Sequence, residues 1–147
     1  MSAKIYSTFI AMEPRGKQRP RVVRRANCPY PVAITPDETV IAENRIKGHV
    51  AAEWMPRAPY EGPLQIQVIA RMTKPASKPK KRLCWPTGKP DWDNIGKLLS
   101  DALNGVLWKD DAQICRSFVE KKYCDSEHPT PGFALQVYAM DMELEVI

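Results

Sequence analysis

Between Lys89 and Ile114 the chain reads KPDWDNIGKLLSDALNGVLWKDDAQI and carries five aspartates, Asp91, Asp93, Asp101, Asp110 and Asp111, with Lys97 among them. Carboxylates that meet at one point repel one another and stay ionised only where a cation or basic groups compensate. An oxygen-only set suits the hard ions Mg2+ and Mn2+, which use a few carboxylates, keep waters and take further oxygens from a phosphate. Such an ion lowers the pKa of its water and offsets charge on a phosphate under attack. Lys97, one helical turn beyond Asp93, is spaced to neutralise the phosphate, stabilise a leaving oxygen or position water.

Each residue also has a plainer role. Asp93 as a helix N-cap would contribute about 1 kcal/mol. Lys97 and Asp101, four apart, make an exposed pair of about 0.3 kcal/mol, in the less favourable order. Asp110 and Asp111 suit a turn. A single cap needs a single aspartate, however, and this accounts for neither Asp91 nor the Asp110–Asp111 pair.

The elements that must position these groups follow from periodicity. Ile95, Leu98, Leu99, Ala102, Leu103 and Val106 repeat at helical spacing, which predicts an amphipathic helix over 94–104, stopped by Asn104-Gly105. Asp93, Lys97, Asp101 and Asn104 fall on the opposite face. Asp91 and Asp93 are expected in an extended approach, pointing to the same side. The helix travels away for about 16 Å. If the next strand joins the same sheet, the turn is expected to bring Asp111 back beside Asp91 and Asp93.

Elsewhere the pattern predicts a strand over 5–11, and a helix from a Thr35 cap with Pro36 in its first turn to about Trp54, ended by Pro56. A half-buried strand is expected from Leu64 to Ala70, another over 112–123, and one or two more over 133–146. Val40, Ile46, Val50, Ala51 and Trp54 mark the expected buried face of the first helix. The segment 73–90, with its prolines and lysines, reads as a long loop. The order of elements gives an α+β domain with a mixed, largely antiparallel sheet and two main helices, and the 147 residues suit one domain spanning 1–147.

Charge is segregated. The net charge is +5, yet 14–36 carries Arg15, Lys17, Arg19, Arg21, Arg24 and Arg25 with no acid, and 62–90 carries Arg71, Lys74, Lys78, Lys80, Lys81, Arg82 and Lys89 with no acid. Together they hold thirteen of the 22 basic residues. That pattern suits a surface facing a polyanion. The four cysteines form no CxxC pair, so free thiols in a reducing compartment are expected. With no long apolar run and no leader-like start, the expectation is a cytoplasmic protein outside the membrane.

The composite Pro90-Asp91-x-Asp93-Asn94-Ile95-x-Lys97, Asp101-Ala102-Leu103-Asn104-Gly105, Asp110-Asp111-x-Gln113-Ile114 resembles the RusA family of Holliday junction resolvases, found in phages and prophages. Lys17-Gln18-Arg19-Pro20-Arg21 and Thr35-Pro36 are similar to the family's N-terminal half. The resemblance implies a homodimeric, Mg2+-dependent endodeoxyribonuclease, with Mn2+ as a substitute, that cuts two opposed strands of a four-way DNA junction symmetrically. It implies that Asp91, Asp93 and Asp111 bind metal and that Lys97 completes the catalytic set. Asp110 matches the acid beside the third ligand, and Asp101 a recurring helix position without a catalytic assignment. Lys17, Arg19, Arg21, Lys80, Lys81 and Arg82 are the expected DNA contacts, mainly to phosphates. The competing reading is a non-catalytic basic DNA-binding module whose aspartates are caps and turns. A nucleotide-sugar glycosyltransferase, suggested by the DWD triplet, would need a larger nucleotide-binding domain and leaves the basic segments without purpose.

Overall fold

The computed structural model describes residues 2–17, 21–34, 36–79 and 82–143. Four strands form the main sheet: β1 (Ser2–Ala11), β4 (Leu64–Met72), β5 (Ile114–Tyr123) and β6 (Gly132–Met140), in the order β1-β6-β4-β5. β1 and β4 both pair antiparallel to β6, while β5 pairs parallel to β4 as an edge strand. The sheet is therefore mixed and largely antiparallel, as the order of elements predicts. Two short strands, β2 (Arg21–Val23) and β3 (Val32–Ile34), form a separate hairpin inside the basic N-terminal segment.

Two helices cover one face, α1 (Asp37–Trp54) and α2 (Trp92–Leu103), packing on each other, α1 also on β1 and α2 on β5. Strict alternation in β4 turns Leu64, Ile66, Val68 and Ala70 toward the helices, where they meet Leu135 and Val137 of β6, Ile46 and Val50 of α1 and Ile95, Leu98 and Leu99 of α2. The other face of β4 carries Gln65, Gln67, Ile69 and Arg71. In α1 the buried face is Thr39, Ala42, Ile46, Val50 and Trp54; Val40 is exposed and Ala51 only partly buried. Threonine and alanine carry little hydrophobic signal, which displaced the expected stripe by part of a turn. α1 ends before Pro56, as expected; the expected Thr35 cap lies outside the described residues.

A parallel pair needs a crossover, and α2 supplies it between β4 and β5. The turn after α2 is tightly built. Gly105 takes φ +77 and donates from its N–H to the Trp108 carbonyl at 2.7 Å, while the fully buried Trp108 donates its indole N–H to Asn104 Oδ1 at 2.9 Å. The four cysteines are free thiols, and no helix among the described residues is long and apolar enough to cross a membrane.

Candidate active site

Asp91 is the N-cap of α2, with its own backbone extended at φ −72, ψ 149. Its carbonyl accepts the first helical bond, from Ile95 N at 3.1 Å, but its side chain caps nothing. The carboxylate is 48% exposed, and Lys89 Nζ approaches Oδ2 to 3.3 Å. Asp93 lies in the first helical turn, exposed, and among the described residues its carboxylate has no hydrogen bond or ion pair. The expected extended approach is therefore corrected: the helix begins at Trp92, and positions two apart on a helix do not face each other. Both carboxylates still sit at the N-terminal end, where the free amide N–H groups favour negative charge. Lys97, 59% exposed, follows one turn after Asp93 and reaches Asp101 Oδ1 at 3.4 Å.

Asp111 is elsewhere. It opens a short 3-10 turn, Asp111–Gln113, beyond the C-terminal end of α2. Two contacts show that α2 runs antiparallel to β5: Gly96 lies against Val119, and Lys121 Nζ donates to the Gly88 carbonyl at 2.6 Å. The N-terminal end of α2 is thus level with Val119–Lys121, and five residues of strand, about 16 Å, separate Val119 from Ile114, where β5 begins beside Asp111. The expected return of Asp111 to Asp91 and Asp93 does not occur within one chain. Among the described residues, no three His, Cys, Asp or Glu side chains gather closely enough to hold a metal ion.

Asp110 has a structural task. Its carboxylate accepts from Ala112 N at 3.2 Å, and its own N–H donates to Gln113 Oε1 at 2.8 Å. Gln113 Nε2 then donates to the carbonyls of Tyr60 and Gly62, at 2.8 and 3.0 Å, fixing the entry to β5. The Asp111 carboxylate takes no part in this and has no partner among the described residues.

Asp101 and Lys17 form an interaction that helical spacing does not reveal. Lys17 Nζ lies 2.6 Å from Asp101 Oδ2. It also lies 3.1 Å from Glu43 Oε1 of α1, close enough to pair in charge but not aligned as a hydrogen bond, so that buried oxygen has no other partner. The hydrogen bond to Asp101 is the main cause raising the Lys17 pKa, against the opposing effect of burial. Lys17 N also donates to the Asn94 carbonyl at 3.0 Å, and a side chain at Gly16 would meet Asn94 Cβ at 2.6 Å. The basic N-terminal segment is thereby pinned against the start of α2. The Lys17 ammonium, expected on DNA, is instead held by two carboxylates. Arg21 and Arg82 are exposed, whereas Arg19, Lys80 and Lys81 lie outside the described residues.

The family model described as Endodeoxyribonuclease RusA matches residues 11–130. The Bacillus subtilis (strain 168) protein YqaN, itself described as uncharacterized, is 36% identical over 89 residues; the match covers 54% of this chain and 61% of that protein. The chain belongs to the RusA endodeoxyribonuclease family. The match contains both ends of α2 and the basic N-terminal segment.

Proposed function

We propose that the chain is a Mg2+-dependent, structure-selective endodeoxyribonuclease that resolves four-way DNA junctions by paired symmetric nicks. Beyond family membership, one observation carries this reading: at the N-terminal end of α2, Asp91 and Asp93 present two exposed carboxylates with no capping role, beside the exposed Lys97. Asp93 has no partner among the described residues, and Asp91 and Lys97 make only exposed pairs with Lys89 and Asp101, which contribute little and leave these groups available for a ligand. Their chemistry fits Mg2+, or Mn2+ in its place, since such ions are commonly held by one or two carboxylates, waters and substrate phosphate. When bound, the ion supplies an acidified water and a counter-charge for the phosphate. Asp91 and Asp93 would hold it, and the Lys97 ammonium would place a positive charge against a phosphate oxygen.

Asp111 enters this reading through dimerisation. Within one chain it is separated from Asp91 and Asp93 by the length of α2, yet its carboxylate, like that of Asp93, has no partner among the described residues. A homodimer related by a two-fold axis would set the Asp111 end of one protomer against the Asp91 end of its partner, twice. A symmetric junction offers two equivalent scissile strands, which such a dimer matches. Arg21 and Arg82, with Arg19, Lys80 and Lys81, would contact phosphates along the arms, making affinity fall steeply with salt. Lys17 would support this surface from beneath by fixing the N-terminal segment. The protein would act as a single domain in the cytoplasm.

The separation of Asp111 favours one rival: a basic DNA-binding module with no catalysis. Incubating a synthetic four-way junction, and linear duplex of the same sequence, with the protein and Mg2+ separates the two. Paired nicks confined to the junction support resolution. An uncut junction that is nonetheless bound leaves the binding module.

A further inference from the structure

On the face of the sheet away from the helices, at the C-terminal ends of β4 and β5, lies a cavity of about 650 Å3. Arg71, Lys74, Arg82 and Lys122 line it, against the two carboxylates of Asp125 and Glu127, and Trp85 and Tyr123 contribute aromatic rings. Arg71 is the unusual member. It sits on β4, paired in register with Lys122 of β5, and its side chain is only 10% exposed. Among the described residues its guanidinium has one ion-pair partner, Asp125 Oδ2, at 3.9 Å, too far for a hydrogen bond. The other oxygen of Asp125 is committed to the turn, accepting from Glu127 N and His128 N at 3.0 and 2.7 Å. A desolvated guanidinium with five donors and no hydrogen-bonded acceptor, opening into a cavity, is built to receive an anion.

The neighbours narrow the anion. Lys122 is paired with Glu120 at 3.0 Å and Lys74 donates to the Arg82 carbonyl at 2.5 Å, so the loop carrying Arg82 is tied over the cavity. That loop presents Trp85, 66% exposed although it is the largest apolar side chain there. A ring stacked on Trp85 with its phosphate on Arg71 and Arg82 uses both features. The volume suits one small ligand and excludes a duplex. The same loop then crosses the edge of the sheet, where Gly88 meets Lys121, and delivers Asp91 on the other side.

We propose that this cavity binds one unpaired nucleotide of a DNA strand, its phosphate on Arg71 and Arg82 and its base against Trp85. The assignment rests on the nuclease reading for the identity of the polyanion and adds to it a site for an unstacked base at the edge strand, opposite Asp91.

The test is fluorescence anisotropy in EDTA, using the full chain with a short labelled single strand and with duplex of the same sequence. Trp85→Ala should weaken single-strand binding roughly tenfold and leave duplex binding unchanged, with Trp85→Phe restoring most of the loss. Arg82→Gln should weaken the single strand as well, and a deoxynucleoside monophosphate should compete better than inorganic phosphate. Unchanged single-strand affinity in Trp85→Ala, equal losses for single strand and duplex, or equal competition by inorganic phosphate would each overturn the proposal. Asp91→Asn should bind the single strand normally. Failure of junction cleavage beside intact, Trp85-dependent binding therefore counts against the nuclease reading alone, and intact cleavage with a neutral Trp85→Ala counts against the cavity alone.

Discussion

The two ends of α2 are built on opposite principles. At the C-terminal end nearly every polar group has a fold partner: the Trp108 indole on Asn104, the Asp110 carboxylate on Ala112 N, and the Gln113 amide on Asp110, Tyr60 and Gly62. At the N-terminal end Asp91 caps with its backbone only, Asp93 is unpartnered among the described residues, and Lys97 is largely in solvent. Buried polar groups must be paired to avoid a desolvation cost, so pairing into the fold marks structure, whereas exposed carboxylates at a helix terminus that hold only a neighbouring lysine, or no described partner, remain accessible to a ligand. Asp111 belongs to the second kind although it sits among the first. Its carboxylate has no partner among the described residues, although the turn that carries it is braced by Asp110 and Gln113.

That contrast yields graded expectations. The largest effect is for Asp91→Asn. If Asp91 holds the proposed ion, its loss removes several kcal/mol of charge stabilisation and should lower junction cleavage at least ~100-fold, while the melting temperature stays level, because the side chain caps nothing. A large fall in stability instead would show that Asp91 is a structural residue like its counterparts at the other end. Next is Trp108→Ala, where loss of a fully buried indole should cost about 3–5 kcal/mol in chemical denaturation. Gln113→Ala should cost about 1–3 kcal/mol, since it abandons the carbonyls of Tyr60 and Gly62; retained stability would mean that water replaces the amide without penalty.

The smallest effect concerns Lys17, which bridges the N-terminal segment to both helices. Its side chain is 24% exposed, so Lys17→Met should cost about 1–2 kcal/mol, between a surface pair and a buried one. The pH dependence has a definite sign. The folded-state pKa is raised, so the stabilisation is fully present below the ordinary value of 10.5 and is lost as pH rises through the folded value. Stability of the wild type should therefore decline more steeply above pH 10.5 than that of Lys17→Met, read from denaturation midpoints across that range. Parallel curves would mean that the Lys17–Asp101 contact contributes nothing.

Much of the fold was legible in the residues. Leucines at helical spacing mark α2, alternation from Leu64 marks β4, and Asn104-Gly105 marks the stop, because each is a local steric or burial pattern. The β2–β3 hairpin was not, since its strands are three residues each and the segment between them, Arg24 to Pro31, is mostly charged or turn-forming. The Thr39–Ala42 side of α1 was hidden by weak hydropathy. Trp108, which belongs to no periodic pattern, is one of the largest buried side chains, because tertiary packing rather than local pattern decides where a turn residue points. Lys17 and Asp101 stand 84 positions apart, a separation at which no spacing rule operates.

By itself the sequence determined which groups could do chemistry: the five aspartates, Lys97, the basic segments and the motif that carries the family. Only the tertiary structure decided where they stand. The chain from Asn104 to Asp111 is long enough, at about 3.3–3.6 Å per residue, to have led back to Asp91. It does not, because those residues are consumed in the Trp108 turn and the Asp110 cap, and because β5 joins β4 in parallel. A helix linking parallel neighbours must run against them, so its beginning and the start of the next strand lie at opposite ends of the sheet.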